Sequence, residues 1–179
     1  MSKFGEDGFN RAFLITMVDQ FQMVARVPYP ITVPKYFAVA NEVATMDFLR
    51  SAGLPIPKVY GYSPDSNNAA GTEHIFIEFI KGIKLSDVWR SLSEQDIISV
   101  VRDLTQLESR MTSISSPAGG SLYYTKDLEN VARGPGVPLE GGRFCVGPDT
   151  RLPLWYGRRT QLEVPRGPCT PLFTFFFLV

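Results

Sequence analysis

Two ionisable residues stand among apolar neighbours: Arg26, which closes the run "FQMVAR", and Glu42, sixteen positions later inside "YFAVANEVATMDFL". A guanidinium keeps its proton inside a protein, so an Arg26 taken into a core must meet an anion there. Leaving either charge buried and alone would cost about 3–5 kcal/mol, so the two are predicted to pair. Such a pair can be purely structural, tying helix to sheet. Gly5 and Gly8, in "FGEDGF", come just before the first expected strand and form a bend of small residues. Backbone N–H groups in such a bend can approach phosphate oxygens, although ordinary turns use the same residues. Further on, "IFIEFIKG" runs into Gly82, a strand end that could act as a hinge whose backbone hydrogen-bonds a flat heterocycle, and that by itself is only a strand end.

Other chemistry is sparse. His74 is the only histidine, which argues against a Ser/His/Asp triad and against a two-histidine metal site. Cys145 and Cys169 lie 24 positions apart and form no CxxC, so neither a zinc site nor a disulfide framework is expected. Glu6 and Asp7 sit in a glycine turn and read as solvated, and Glu108 reads as a satisfied structural carboxylate on the apolar side of a helix. No catalytic residue and no metal ligand is assigned. Lys plus Arg and Asp plus Glu are both 18, so net charge gives no case for nucleic acid or an anionic membrane surface. The start "MSKFGEDGFN" is neither a secretory signal nor an Arg-rich transit peptide, which leaves the cytoplasm as the default address. The apolar end "PLFTFFFLV" is far shorter than the roughly 20 residues a membrane helix needs.

The elements that would position these residues follow from spacing. Ala12–Met17 and Phe21–Val27 read as an antiparallel hairpin around "VDQ". Prolines at 28, 30 and 34 forbid helix until Lys35, and a helix then runs to Gly53. Phe37, Ala40, Ala44 and Phe48 make one stripe on it, and Val39, Val43, Met46 and Leu49 a second, so it should be covered from two directions. A strand follows "LPIP", then the polar loop Ser63–Thr72, then the strand "EHIFIEFI". Ser93 and Asp96 form a capping-box signal for a second helix reaching about Ile114, with Ile97, Val101, Leu104 and Met111 as its expected buried face. Residues 134–179 hold seven of the 14 prolines and seven of the 15 glycines, and are expected to be irregular apart from a short strand over Arg143–Val146.

Glycine turn, strand with a basic residue, helix with a glutamate and strand into a hinge is the order of the small lobe of protein-kinase-like phosphotransferases. The chain resembles the aminoglycoside phosphotransferase group within them, and more closely the fungal proteins named altered inheritance of mitochondria protein 9. "GFNRAF", "VARVPYP", "NEVATMDFLR", "GSLYYTKDL" and "LPLWYGRR" carry the similarity, from about Phe4 to Arg159. The resemblance implies an α+β fold: an antiparallel sheet with a packed helix (1–92), a second long helix and following segment (93–133), and an irregular Pro/Gly-rich segment (134–179). It implies ATP as cofactor, with Gly5 and Gly8 at the phosphates, Arg26 and Glu42 orienting them, and Glu78 and Ile80 at the adenine. It also implies a mitochondrial location.

A kinase-like transferase further needs a catalytic Asp with an Asn five residues on, and an Asp for magnesium. None of the nine aspartates is followed at that distance by Asn. The chain is therefore expected to be a truncated, catalytically inactive member, with Mg relevant only to the full-length protein and nucleotide binding weak or lost. Its exposed lobe surface would invite self-association. The rival expectation is a non-catalytic interaction module in which the Arg26–Glu42 pair is structural only.

Overall fold

The computed structural model describes residues 2–6, 8–129, 131 and 136–169. The apolar stretch Pro171–Val179 lies outside the described residues. Among the described residues, eight strands and four helices follow one another as β1 (Ser2–Glu6), β2 (Asn10–Thr16), β3 (Gln22–Pro28), α1 (Lys35–Ser51), β4 (Val59–Ser63), β5 (His74–Glu78), α2 (Leu85–Val88), α3 (Glu94–Thr112), β6 (Ser121–Tyr124), α4 (Thr125–Glu129), β7 (Val137–Pro138) and β8 (Phe144–Gly147). The fold is α+β: a five-stranded antiparallel sheet in the order β1-β2-β3-β5-β4, a three-stranded sheet in the order β6-β8-β7, and α1 between them.

The expected hairpin is β2–β3, closed by the Met17 amide donating to the Phe21 carbonyl at 2.8 Å. A strand that the spacing did not foretell, β1, pairs with β2 on its outer side. Gly5 is therefore inside a strand, at the register shift after Lys3, and only Gly8 lies in the bend before β2. The reason is that "SKFGE" carries one apolar side chain, too few to read as a strand by alternation. It pairs through its backbone as an edge strand.

Helix α1 is the hub. Proline at position 34 cannot extend the helix backward, and Gly53, at φ +80°, ends it in a left-handed conformation that a side chain disfavours. Both expected stripes are used. Val39 and Val43 pack with Ile75 of β5, while Ala40 packs with Tyr123, Leu128 and Cys145 of the second sheet and its helix α4. Phe48 meets Phe144 edge-on at 5.3 Å between ring centres. The segment after Ala132 thus contributes a piece of core that its composition hid: Phe144, Cys145 and Val146 of β8 are all buried. Beyond β8 it is irregular, apart from short 3-10 turns at Leu152–Leu154 and Gly157–Gln161.

Helix α3 forms with the expected capping box, Asp96 amide to Ser93 Oγ at 3.2 Å and Ser93 amide to Asp96 Oδ2 at 3.3 Å. Its apolar face is not buried, contrary to expectation: Val101, Leu104 and Met111 are 50%, 55% and 48% exposed, and only Ile97 is half-covered. Glu108 is exposed as well. Periodicity reveals that a face is apolar; it does not say where the cover comes from. A helix held so little by packing depends on its ends. Ser93→Ala should cost α3 about 1 kcal/mol, seen as lost helical circular dichroism and faster amide exchange over Glu94–Thr112, with the unfolding midpoint of the sheets unmoved.

Candidate functional site

Arg26 is set by register. It pairs across the sheet with Ala12 of β2 and Ile75 of β5, and Ile75 is the residue on which α1 packs, so Arg26 shares the face turned to the helix. Glu42 lies on α1 one turn after Val39. The two side chains form a salt bridge, as the isolated charges predict. They are 27% and 30% exposed, so the pair sits at the edge of the packed layer and not within it, and the cost reckoned for a fully buried orphan charge is an upper bound.

The other assigned residues divide between the two ends of the sheet. The Phe9 carbonyl, just after Gly8, accepts from the Tyr29 amide at 2.9 Å and from Thr32 Oγ1 at 3.0 Å, which pins the base of the β1–β2 turn to the chain leaving β3. Gly5 and Gly8 each have open space where a side chain would go, so packing does not require glycine at either. Glu78 ends β5. Its amide donates to the Lys58 carbonyl at 2.8 Å, and its carboxylate accepts from the Lys58 amide at 3.0 Å with Arg50 3.9 Å away. Ile80, two residues on, is 59% exposed and free of regular structure. Arg26, Glu42 and the β1–β2 turn are thus brought together at one end of the sheet, and Glu78 and Ile80 lie beyond the other end of β3, where Met23 faces Glu78.

A cavity of about 230 Å³ opens beside the pair, lined by Phe9, Asn10, Lys35, Glu42 and Thr150 among others. Lys35 was not singled out by sequence. The signal was its spacing, since it stands seven positions before Glu42, two helical turns, which places both on one face of α1. A larger cavity of about 590 Å³, walled by Phe37, Leu128, Trp155 and the Leu162–Pro168 segment, shares no residue with the first. Among the described residues no three His, Cys, Asp or Glu side chains cluster as a metal site would require.

Sequence reading also missed a phenol network that locks the second sheet to the first. Tyr62 of β4 donates to Asp127 Oδ2 at 2.6 Å, Tyr36 donates to the Asp127 carbonyl at 3.0 Å, and Tyr124 donates to Asp47 Oδ2 at 2.6 Å. Arg143 pairs with that same Asp47 and lies over the Tyr124 ring. Burial first, and then the hydrogen bond to a carboxylate, pushes the Tyr62 and Tyr124 phenols well above their ordinary range.

No family model matches the chain. Relatives are found among fungal proteins. A subtelomeric hrmA-associated cluster protein of Aspergillus fumigatus is 38% identical over 182 residues, covering 100% of this chain and 35% of the relative. Altered inheritance of mitochondria protein 9, mitochondrial, from Meyerozyma guilliermondii is 30% identical over 165 residues, covering 86% of this chain and 27% of the relative. The Candida albicans protein of that name is 32% identical over 159 residues, with 80% and 25% covered. The chain therefore has homologues named altered inheritance of mitochondria protein 9, and it spans about a third or less of the length of these relatives. No helix among the described residues is long and apolar enough to cross a membrane.

The phenol network sets an alkaline limit. Because the folded state holds the Tyr62 and Tyr124 protons more tightly than the unfolded chain does, their contribution is whole below about pH 10 and is lost as pH rises past it. Urea unfolding followed from about pH 8 to about pH 11 should show stability falling above about pH 10, and Tyr62→Phe/Tyr124→Phe should flatten that fall without abolishing it, since Tyr36 and Tyr123 are raised too.

Proposed function

We propose that the chain is the nucleotide-facing small lobe of a protein-kinase-like phosphotransferase of the aminoglycoside phosphotransferase type. The observation that carries this reading is the pairing of a cation on the third strand with a carboxylate on the helix that follows it. In kinases a lysine on the third strand and a glutamate on the next helix form an ion pair that must be in place for phosphoryl transfer. The five-stranded sheet, with the helix inserted between its third and fourth strands, supports the same reading. ATP would lie with its adenine against the backbone at Glu78–Ile80 and its phosphates toward the β1–β2 turn and Arg26.

Bound ATP would supply the transferable phosphoryl group. The residues of this chain bind and orient it, and those for proton removal and magnesium are not among them: no aspartate has the Asp-to-Asn spacing of a catalytic loop. Phosphoryl transfer to a hydroxyl is accordingly assigned to the longer family protein, and the 179 residues alone should not turn ATP over. The names of the relatives support a mitochondrial location. A second reading, a non-catalytic module that binds another protein or its own copy, is favoured by the uncovered apolar face of α3.

Mg-ATP at about a hundred times its Kd would stabilise the fold by about 2.7 kcal/mol, a rise of about 5–10 °C in Tm for a chain of this size. The expected outcome is such a rise in the wild type and none in Arg26→Ala, with no ATP consumed by either. A flat Tm in the wild type supports the interaction-module reading, and turnover by the chain alone contradicts the division of labour.

A further inference from the structure

The 230 Å³ cavity lies between the β1–β2 turn, the first two turns of α1 and the chain after β8. Pockets that enclose a drug-sized ligand run to about 300–1,000 Å³, so this one can take the end of a nucleotide but not the whole of it. Its charged walls are Lys35 and Glu42, and Glu42 is already neutralised by Arg26. Its hydroxyls are committed too, Thr32 to the Phe9 carbonyl at 3.0 Å and Thr150 to Ser121 Oγ at 2.9 Å. Lys35 differs from all of these: it is exposed, and its side chain makes no ion pair or hydrogen bond with any described residue. Among the described residues lining the cavity, Lys35 is therefore the one charge with no opposite charge paired to it, which favours an anion.

We propose that Lys35 grips the phosphate end of a nucleoside polyphosphate, while Arg26 stays bound to Glu42. The side-chain chemistry fits this division. A guanidinium fork matches a carboxylate, whereas an ammonium is a compact point charge with three rotatable donors that follows a phosphate as it moves. The identity of the ligand rests on the nucleotide reading above; the polyphosphate contact can be tested without it.

The full 179-residue chain and its Lys35→Gln and Lys35→Arg variants are titrated calorimetrically with inorganic tripolyphosphate, adenosine and Mg-ATP. Lys35→Gln should weaken tripolyphosphate and Mg-ATP by about tenfold, Lys35→Arg should retain most of the affinity, and adenosine should bind all three alike. Because Lys35 is exposed, the unfolding midpoint should not move, which separates a local loss from misfolding. Equal binding of tripolyphosphate and Mg-ATP by Lys35→Gln and wild type overturns the assignment of Lys35 and leaves the nucleotide reading standing. Lys35-dependent binding of tripolyphosphate, with Mg-ATP no tighter and adenosine unbound, upholds Lys35 and overturns the nucleotide reading. A wild type that binds neither tripolyphosphate nor Mg-ATP overturns both.

Discussion

The structure depends on one helix being packed on two sides. Val39, Ala40, Val43 and Ala44 of α1 are 2%, 0%, 0% and 0% exposed, and they belong to opposite stripes. The two alanines matter as much as the two valines, because a small side chain lets the second sheet approach the helix closely while Val39 and Val43 fill the space above Ile75. Tyr123 is fully buried against that surface, its hydroxyl donating to the Pro148 carbonyl at 2.6 Å. The backbone beyond β8 is thereby drawn back toward α1, and with it Thr150, which completes the small cavity. Remove the second contact and the wall opposite Lys35 goes with it.

The same packing decides how the Arg26–Glu42 pair should be valued. A surface ion pair is worth about 0–1 kcal/mol, and a fully buried one often does no better than an apolar replacement. With both side chains about a quarter exposed, this pair lies between those cases, and its net contribution to folding is small. Stability is thus a poor reason for placing two charges in an otherwise apolar layer. Orientation is a better one: each charge fixes where the other lies, so that the third strand and the helix present one arrangement to whatever approaches the β1–β2 turn.

How much of this was legible in the sequence varies with the physics involved. The two stripes of α1 were visible because buried helical faces leave a period, and the capping box of α3 because it is local. The Arg26–Glu42 pair was visible because an isolated charge in an apolar run has few possible partners. Strand β1 was hidden because an edge strand is held by backbone hydrogen bonds and needs no apolar alternation. The burial of β8 was hidden among prolines and glycines, since "RFCV" is too short to show a period and its partner strand lies 20 residues upstream, where Tyr124 faces Phe144. Nothing in the sequence marks Asp47 and Asp127 as partners of phenols; only the fold brings Tyr124 and Tyr62 to them. Lys35 lacked any apolar contrast, and its significance comes from what its neighbours have already committed.

On the proposed reading, Arg26 stands where kinases have lysine. Were residue 26 a lysine, its ammonium could be divided between Glu42 and a phosphate, because three rotatable donors are easily split between two acceptors. An arginine bound to a carboxylate has its planar guanidinium oriented by that partner and gives up less of it. On the proposed reading, a strand arginine therefore serves best as a clamp on the helix, and the phosphate contact needs a second cation close by. The first turn of α1 is the nearest place where such a cation can stand at the cavity without interrupting the sheet or the packed stripes. Lys35 occupies that place, two turns before Glu42 and on the same helical face.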